Sequence, residues 1–319
     1  MSQFHQPVVC VADLELAREL LEHDGKELVQ VDWPFNRLLP GKYVEFMDGA
    51  EHSRLRDLLE PGFGPEVLAQ CRPDLDSAVD HAIVSLQQSP QTGGIAPLDI
   101  CRKLALDALL RIIVGVRADD ARVADVPGLL ERLAPPHPLM PVLAADRRPL
   151  VELIGLLRKI GAACDVPTRP SLLAQLLQRD RALIDDDVVL ANLVTMLWDG
   201  RTMLQTLLLW LSKRAAQHPG QLERIRASGH DPAAAESLAR ACVLEVLRLD
   251  VSRYIYRQVA SEFRIRAWRL PAGWLLRICQ HEMHTSAACF EQPREFNPER
   301  FPGGRYDSGW FWPFSRGVH

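Results

Sequence analysis

The sequence predicts a mainly α-helical protein with a small β portion near its C-terminal end. Several segments have the helical spacing of apolar residues, and the longest is DDDVVLANLVTMLWDGRTMLQTLLLWLSKRAAQH. Its acidic start and basic end match the helix dipole, and its apolar residues on nearly all sides predict a buried central helix. Further along, EFRIRAW, LPAG and WLLRICQ together predict a β-hairpin with a Pro-Gly turn.

Shorter elements flank these two features. PVVCVAD predicts a strand and LELARELLEH a helix. Two amphipathic helices are predicted in AEHSRLRDLLEPGFGPEVLAQCRPDLDSAVDHAIVSLQQ, with a break at Pro61 and Gly62. LDICRKLALDALLRIIVG predicts a helix that ends at Gly115, and PAAAESLARACVLEVLRL predicts the helix before the hairpin. Residues 31–49 and the stretch after residue 280 are predicted to be loop or coil, since Pro and Gly interrupt any regular pattern there.

The composition limits the classes of function. Apolar residues make up 47% of the 319 residues, and the net charge is −4 from 37 basic and 41 acidic residues. A nucleic-acid-binding surface would carry an excess of basic residues, so we expect no nucleic-acid partner. The seven cysteines are scattered and contain no C-x-x-C pair, which favours a reducing, cytoplasmic location over a secreted disulfide framework.

No membrane contact is expected either. The N-terminus lacks the basic-then-apolar pattern of a signal peptide. The most apolar run carries Asp199 and Arg201 at its centre, and charges in the middle of a bilayer are costly. This run is therefore predicted to be a buried helix of a soluble protein.

One charged pair stands out on the helix before the hairpin. Glu245 and Arg248 are three residues apart, so they share a helix face. Apolar residues surround them, and a buried carboxylate–guanidinium pair requires further partners. Arg300, in the coil sequence FNPERF, is a candidate partner. We call this predicted trio the Glu-Arg-Arg cluster (Glu245, Arg248 and Arg300).

The sequence HEMH, from His281 to His284, is a weak metal-binding signal. The zincin motif H-E-x-x-H places its histidines four residues apart on a helix, whereas here they are three apart and follow a predicted strand. We therefore predict no metal ligand from it. An unrelated helical metal protein built on HEMH is a third hypothesis for the chain.

The motifs occur in an informative order. E-x-x-R on a helix, a β-hairpin, P-E-R-F and P-F-S-x-G-x-H together resemble the signature of the cytochrome P450 superfamily of heme-thiolate monooxygenases, in particular its bacterial, soluble members. The resemblance implies a single P450-like domain over residues 1–319, a helical bundle with a long central helix and a small β portion. It also implies heme b, a small and largely apolar substrate such as an intermediate of secondary metabolism, and electrons from a separate ferredoxin or reductase.

The resemblance also assigns cofactor-binding residues. In EHSRLR, His52 and Arg56 match the family's H-x-x-x-R pair that meets the heme propionates, and Arg257 in SRYIYR matches another propionate-binding arginine. His and Arg donors suit these carboxylates, which an arginine can bind as a planar fork. Phe314, Gly317 and His319 match the loop around the heme ligand.

The central helix departs from the family. The family pattern is a small residue, Gly, any residue, an acid and Thr, whereas this chain has Gly200 in place but Thr202 where the acid is expected and Met203 where the Thr is expected. Methionine has no proton to relay. Asp199, one turn before Thr202, is a candidate replacement, so Asp199, Gly200 and Thr202 are the predicted catalytic positions.

The two ends carry a further expectation. The family places its iron-ligating Cys two residues after the position of His319, which is the last residue here, and it has an additional helix and strand before PVVCVAD. We therefore expect a truncated or degenerate P450 with no axial Cys and an incomplete heme site. The alternative is a heme-free or non-oxygenase protein that uses the P450 fold for ligand binding, as a scaffold or for non-redox chemistry.

Overall fold

A computed structural model describes residues 2–3, 6–33, 39–88, 97–133, 146–163, 170–250, 254–307 and 309–314. The chain divides into two compact units. The sheet unit comprises residues 1–31 and 206–319, and the helical unit comprises residues 32–205. The single domain over residues 1–319 stays a prediction.

The predicted helices are present, and the described residues are mainly helical. In chain order the α-helices are α1 (Leu14–Leu21), α2 (Gly49–Leu59), α3 (Pro65–Gln88), α4 (Pro97–Leu109), α5 (Val126–Leu133), α6 (Arg148–Ala163), α7 (Leu172–Arg179), α8 (Asp187–Gln217), α9 (Pro219–Ala227), α10 (Pro232–Leu249) and α11 (Gln280–His284). Within the described ranges, no helix combines the length and apolarity needed to cross a bilayer.

The strands form one larger sheet and one small hairpin. They are β1 (Ser2–Gln3), β2 (Gln6–Val11), β3 (Leu28–Val29), β4 (Ile255–Val259), β5 (Phe263–Ile265), β6 (Trp268–Leu270) and β7 (Leu275–Ile278). The larger sheet has the order β1-β2-β7-β4-β3, in which only β2 and β7 are parallel, with Val8 opposite Leu275. The sheet therefore joins the N-terminal strands to strands more than 240 residues later.

Helix α8 supplies the centre of the helical unit. It has 31 residues and would span about 46 Å. Leu190, Leu193, Val194 and Leu197 recur at helical spacing and are at most 1% exposed. These residues pack in one apolar cluster with α4, α5, α6 and α7. The predicted long helix is confirmed, but its predicted burial holds only for the first half, because residues 202–217 are half-buried or exposed.

The end of α4 shows how one glycine stops a helix. A π-helical turn, Leu110–Val114, continues α4 and ends at Gly115, whose φ of 82° is left-handed. A residue with a Cβ is strained in this conformation, so glycine fits the position. The predicted stop at Gly115 is thereby confirmed.

The predicted position of the turn in the β-hairpin is wrong. The hairpin of the structure pairs β5 with β6 and turns at Arg266, which has a φ of 49°. LPAG instead connects β6 to β7, and β7 pairs with β2 and β4. Strand β4 was not predicted, although its residues alternate between buried and half-buried. Strands this short are ambiguous in sequence because their partners decide the pairing.

Candidate functional site

A buried ion pair lies on one face of α10. Arg248 Nε and Nη2 donate to Glu245 Oε2 and Oε1 at 2.7 and 2.8 Å. Both side chains are 0% exposed. A bidentate pair of this kind fixes the geometry of both side chains. Because two charges have been removed from water, their remaining hydrogen-bonding capacity must also be satisfied.

The other donors of Arg248 bind backbone carbonyl groups of α11 and the coil after it. Nη1 donates to His284 O and to Pro293 O, each at 2.6 Å, and Nη2 donates to Glu295 O at 3.1 Å. All five N–H donors of the guanidinium are thus used. One side chain therefore fixes three backbone carbonyl groups.

The structure brings Arg300 to the same carboxylate. Arg300 Nε lies 3.4 Å from Glu245 Oε1, and the backbone N–H of Asn297 donates to that oxygen at 2.8 Å. The terminal nitrogens of Arg300 donate to Gln292 O at 2.7 Å and to Glu291 O. The residues of the Glu-Arg-Arg cluster therefore meet, and they hold this coil on α10.

A second ion pair in the sheet unit was missed by the sequence reasoning. Arg214 Nε and Nη2 donate to Asp250 Oδ2 and Oδ1 at 2.8 and 2.7 Å. This pairing raises the pKa of Arg214. Arg214 was interpreted only as part of the basic end of α8, because the identity of its partner depends on the packing of α8 beside the end of α10.

His52 and Arg56 lie on α2 in the helical unit. His52 is 4% exposed, whereas the Arg56 side chain is 46% exposed. Arg56 Nε is 3.5 Å from Glu60 Oε2, an i,i+4 pair with both partners largely in solvent. The buried His52 and the exposed Arg56 therefore occupy different environments on the same helix.

Arg257 lies in a buried ion pair that the sequence reasoning did not identify. Its Nε and Nη2 donate to Asp24 Oδ1 and Oδ2 at 2.6 and 2.8 Å, and the two side chains are 5% and 2% exposed. Nη1 donates to Gln30 Oε1 at 3.3 Å and to Tyr256 O at 2.9 Å. Gln30 Nε2 is buried and has no hydrogen-bond partner among the described residues. Gln30 Nε2 therefore provides a hydrogen-bond donor for an anion next to Arg257.

Gly200 lies at a close contact between α8 and α4. A Cβ built on Gly200 would lie 3.3 Å from Leu109 Cδ1, which is tighter than most such contacts. Helix α8 continues through this position without interruption. The glycine thus allows the two helices to approach closely.

The neighbouring predicted catalytic positions differ in exposure. Asp199 and Met203 are half-buried, and Thr202 is exposed. Thr202 Oγ1 donates to Trp198 O at 3.2 Å, a bond within the helix. The Thr202 hydroxyl therefore sits at the surface of the helical unit.

The C-terminal motif is described only in part. Phe311 and Trp312 are 2% exposed, and Phe314 is 67% exposed. Gly317 and His319 lie outside the described residues. Within these residues the chain thus changes from buried at Pro313 to exposed at Phe314, the second residue of PFSRGVH.

HEMH forms the short helix α11. His281 is exposed, and His284 is 1% exposed and accepts a hydrogen bond from the Trp312 backbone N–H. Over the described residues, no group of three or more His, Cys, Asp or Glu side chains could hold a metal ion.

Comparison with known proteins identifies relatives along nearly the whole chain. The family model Cytochrome P450 matches residues 171–319. The chain is 25% identical over 345 residues to abscisic acid 8'-hydroxylase 3 of Oryza sativa subsp. indica, covering 98% of this chain and 67% of that protein. It is 27% identical over 338 residues to putative cytochrome P450 138 of Mycobacterium tuberculosis, covering 98% and 74%.

Comparison with solved structures gives the same result for the fold. The solved structure of retinoic acid bound cyanobacterial CYP120A1 matches with a TM-score of 0.79 at 19% identity, and the match covers 98% of this chain and 77% of that one. This likeness shows a P450 fold, and the family match covers the Glu-Arg-Arg cluster and the PFSRGVH motif. The family model, the curated relatives and the solved structure therefore all support the cytochrome P450 superfamily as the family of this chain.

Proposed function

We propose that the protein is a heme-dependent monooxygenase that oxidises a small, largely apolar organic molecule, an intermediate in a biosynthetic pathway. The observation that carries this proposal is the Glu-Arg-Arg cluster, which fixes residues 291–300 on α10 ahead of PFSRGVH. The likeness to the cytochrome P450 superfamily supports a heme monooxygenase-type function in general. A cytoplasmic location and a separate ferredoxin or reductase partner are parts of the same proposal.

The donor set fits the carboxylates of heme. We assign His52, Arg56 and Arg257 to the propionates of heme b. The exposed Arg56–Glu60 pair is worth only about 0–1 kcal/mol, so an incoming carboxylate can replace Glu60. Gln30 Nε2 beside Arg257 is buried and has no hydrogen-bond partner within the described part of the chain, so it offers a further donor to an anion. Phe314, Gly317 and His319 are assigned to the heme loop.

The chain's own residues would handle protons on α8. Bound heme supplies oxygen activation, and the protein supplies binding and orientation. The Thr202 hydroxyl holds an exchangeable proton at Oγ1 and is exposed. We assign Thr202 and the nearby Asp199 to proton delivery, because the Met203 side chain has no exchangeable proton to donate. Gly200 lets α8 pack closely on α4 and so keeps this segment in place.

Organic acids are the first substrates to test. Two relatives carry acids in their names, abscisic acid 8'-hydroxylase and retinoic acid bound CYP120A1. We propose a small apolar acid as the substrate class, and a shift in the heme absorption spectrum on adding such acids would support it. Equal spectra with acids and with neutral analogues of the same size would argue against it.

Heme titration of the 319-residue chain tests the proposal. We expect stoichiometric uptake with a Soret band, and Arg56→Ala should weaken the affinity by about tenfold because a charged hydrogen bond is lost. Arg54→Ala is the matched control, since Arg54 lies on the same helix, is 62% exposed and pairs with Asp186 at 3.4 Å. No uptake by the unaltered chain, or equal losses in both variants, would contradict the assignment.

A heme-free ligand-binding protein is the second candidate. The observation that favours it is the Asp24–Arg257 pair, because an internal carboxylate already occupies the guanidinium that the family gives to heme. This candidate predicts that Asp24→Asn leaves the chain unable to take up heme. Restored or tighter heme uptake by Asp24→Asn would favour the monooxygenase instead.

A further inference from the structure

Two polar side chains of α11 point into the interior of the sheet unit. Gln280 and His284 are four residues apart, so they lie on one face of this short helix, and each is 1% exposed. His281 and Glu282, on the other side, are exposed. Buried polar groups are costly unless they are hydrogen-bonded. These two side chains therefore require partners in the interior.

One residue partners both side chains, whereas His284 Nδ1 has no hydrogen-bond partner among the described residues. The Trp312 backbone N–H donates to His284 Nε2 at 3.0 Å, and Gln280 Nε2 donates to Trp312 O. Trp312 is 2% exposed and lies in irregular backbone. We infer that Gln280 and His284 form a clamp on the Trp312 backbone and are positioning residues for the PFSRGVH motif. The part of this inference that concerns the motif rests on the proposed heme function.

The bonding fixes the tautomer of His284. Because Nε2 accepts from Trp312, the proton of the neutral ring must be on Nδ1. Burial above all, and then the nearby charges of Arg248 and His281, lower the pKa of His284 to about 3. The ring is therefore neutral near pH 7, as an acceptor at Nε2 requires. Phe290 and Phe311 flank it, with ring centroids at 6.2 and 5.1 Å.

The clamp is continuous with the Glu-Arg-Arg cluster. Arg248 Nη1 donates to the carbonyl oxygen of His284, and the ring of the same residue accepts from Trp312. A chain of hydrogen bonds thus runs from Glu245 through Arg248 and His284 to Trp312. Phe314, two residues later, is 67% exposed. Trp312 is therefore the last fully buried point of the described chain before the motif.

This arrangement explains why HEMH is present without metal-ligand spacing. The second histidine binds backbone, and the glutamine before the first histidine provides the other half of the clamp. The functional unit is thus QHEMH, with its polar positions at the two ends.

Hydrogen exchange at the Trp312 amide tests the clamp in the full chain without any cofactor. His284→Phe removes the acceptor but keeps a ring, and we expect Trp312 exchange to speed up by about tenfold or more. His284→Gln, whose Oε1 can accept in place of Nε2, should restore much of the protection. His281→Phe is the matched control on the exposed side of the same helix and should leave the rate unchanged.

A second variant guards against unfolding. If His284→Phe fails to fold, Gln280→Glu tests the other half, because a carboxylate has no proton to donate to Trp312 O. Faster Trp312 exchange in Gln280→Glu would support the clamp. Unchanged Trp312 exchange in a folded His284→Phe or Gln280→Glu protein would overturn it.

Heme titration of the same variants separates the two hypotheses. If both hold, His284→Phe weakens heme retention and His281→Phe does not. If the unaltered chain takes up no heme but the Trp312 amide still responds to His284→Phe, the clamp stands and the proposed function fails. Normal heme affinity and spectrum in a His284→Phe protein with an exposed Trp312 amide would overturn the positioning role.

Discussion

Different interactions stabilise the first half of α8 and the coil after α11. The first half of α8 buries an apolar surface, with Leu190, Leu193 and Leu197 at most 1% exposed, and its backbone groups bond within the helix. The coil after α11 has little regular structure, and its backbone is bound by side chains, among them Arg248 and Arg300. A helix satisfies most of its own backbone groups, whereas an irregular segment packed on a helix needs partners from elsewhere.

This difference predicts how far the effect of a substitution extends along the chain. In α8 each apolar contact is one of many, so a substitution should lower stability in proportion to the volume removed. In the sheet unit a single guanidinium holds one carbonyl group at the end of α11 and two in the coil, so its loss should release a whole segment. Four substitutions or conditions test this comparison, in order of decreasing effect.

The largest effect is expected for Glu245→Ala. The variant leaves the buried Arg248 without its carboxylate, and loss of one partner of a buried pair costs about 3–5 kcal/mol. We expect this loss in the free energy of unfolding by urea denaturation, with faster amide exchange confined to residues 291–300. Glu236→Ala, on the exposed side of α10, is the control. A loss below about 1 kcal/mol would show that the coil does not depend on the cluster.

Leu193→Ala is expected to come second. The side chain is 0% exposed, and truncating a buried leucine costs about 2–5 kcal/mol. In contrast to Glu245→Ala, exchange should increase across the helical unit without a single released segment. Leu222→Ala, at 37% exposure on α9, should have little effect. Increased exchange limited to one loop would contradict the comparison.

Asp24→Asn is expected to have a smaller effect. It removes the charge opposite Arg257 but keeps a carbonyl acceptor in place, and hydrogen bonds to charged groups are worth about 1.5–3 kcal/mol. Thermal or urea unfolding should therefore show a loss of about 2 kcal/mol. Asp32→Asn, at an exposed aspartate, should leave stability unchanged. Equal stability of the two variants would show that the Asp24–Arg257 pair contributes little.

The sequence was informative where the signal is periodic and long. Thirty-one residues of apolar pattern with charged ends specify α8 with little ambiguity. Strand β4 and the turn at Arg266 were mispredicted, because each short strand is defined by a partner elsewhere in the chain. The N-terminal strand β2, for example, pairs with β7.

The candidate site shows the same limit. The spacing of Glu245 and Arg248 and the downstream Arg300 were sufficient to predict a trio. The acceptors His284 O and Pro293 O were not predictable, because any residue has a carbonyl group. The Asp24–Arg257 pair joins residues 233 positions apart, and no local pattern marks it.

Over a single pH unit, the smallest effect is expected for the titration of His284 in the clamp on Trp312. The pKa of His284 is about 3 in the folded protein, against 6.5 as its ordinary value, chiefly because the ring is buried. Between these values the unfolded chain binds a proton that the folded chain does not. Stability should therefore fall as pH is lowered from about 6.5 toward 3, by at most about 1.4 kcal/mol per pH unit from this residue.

A pair of histidine variants isolates this contribution. His284→Gln keeps an acceptor for the Trp312 N–H but cannot titrate, so its stability should fall less between pH 7 and pH 5, as measured by urea denaturation. His281→Gln, at the exposed histidine of α11, should retain the pH dependence of the unaltered chain. Parallel pH profiles for the unaltered chain and His284→Gln would mean that His284 contributes nothing to the pH dependence of stability, and would contradict this prediction. The coil would then be held by the Glu-Arg-Arg cluster rather than by His284.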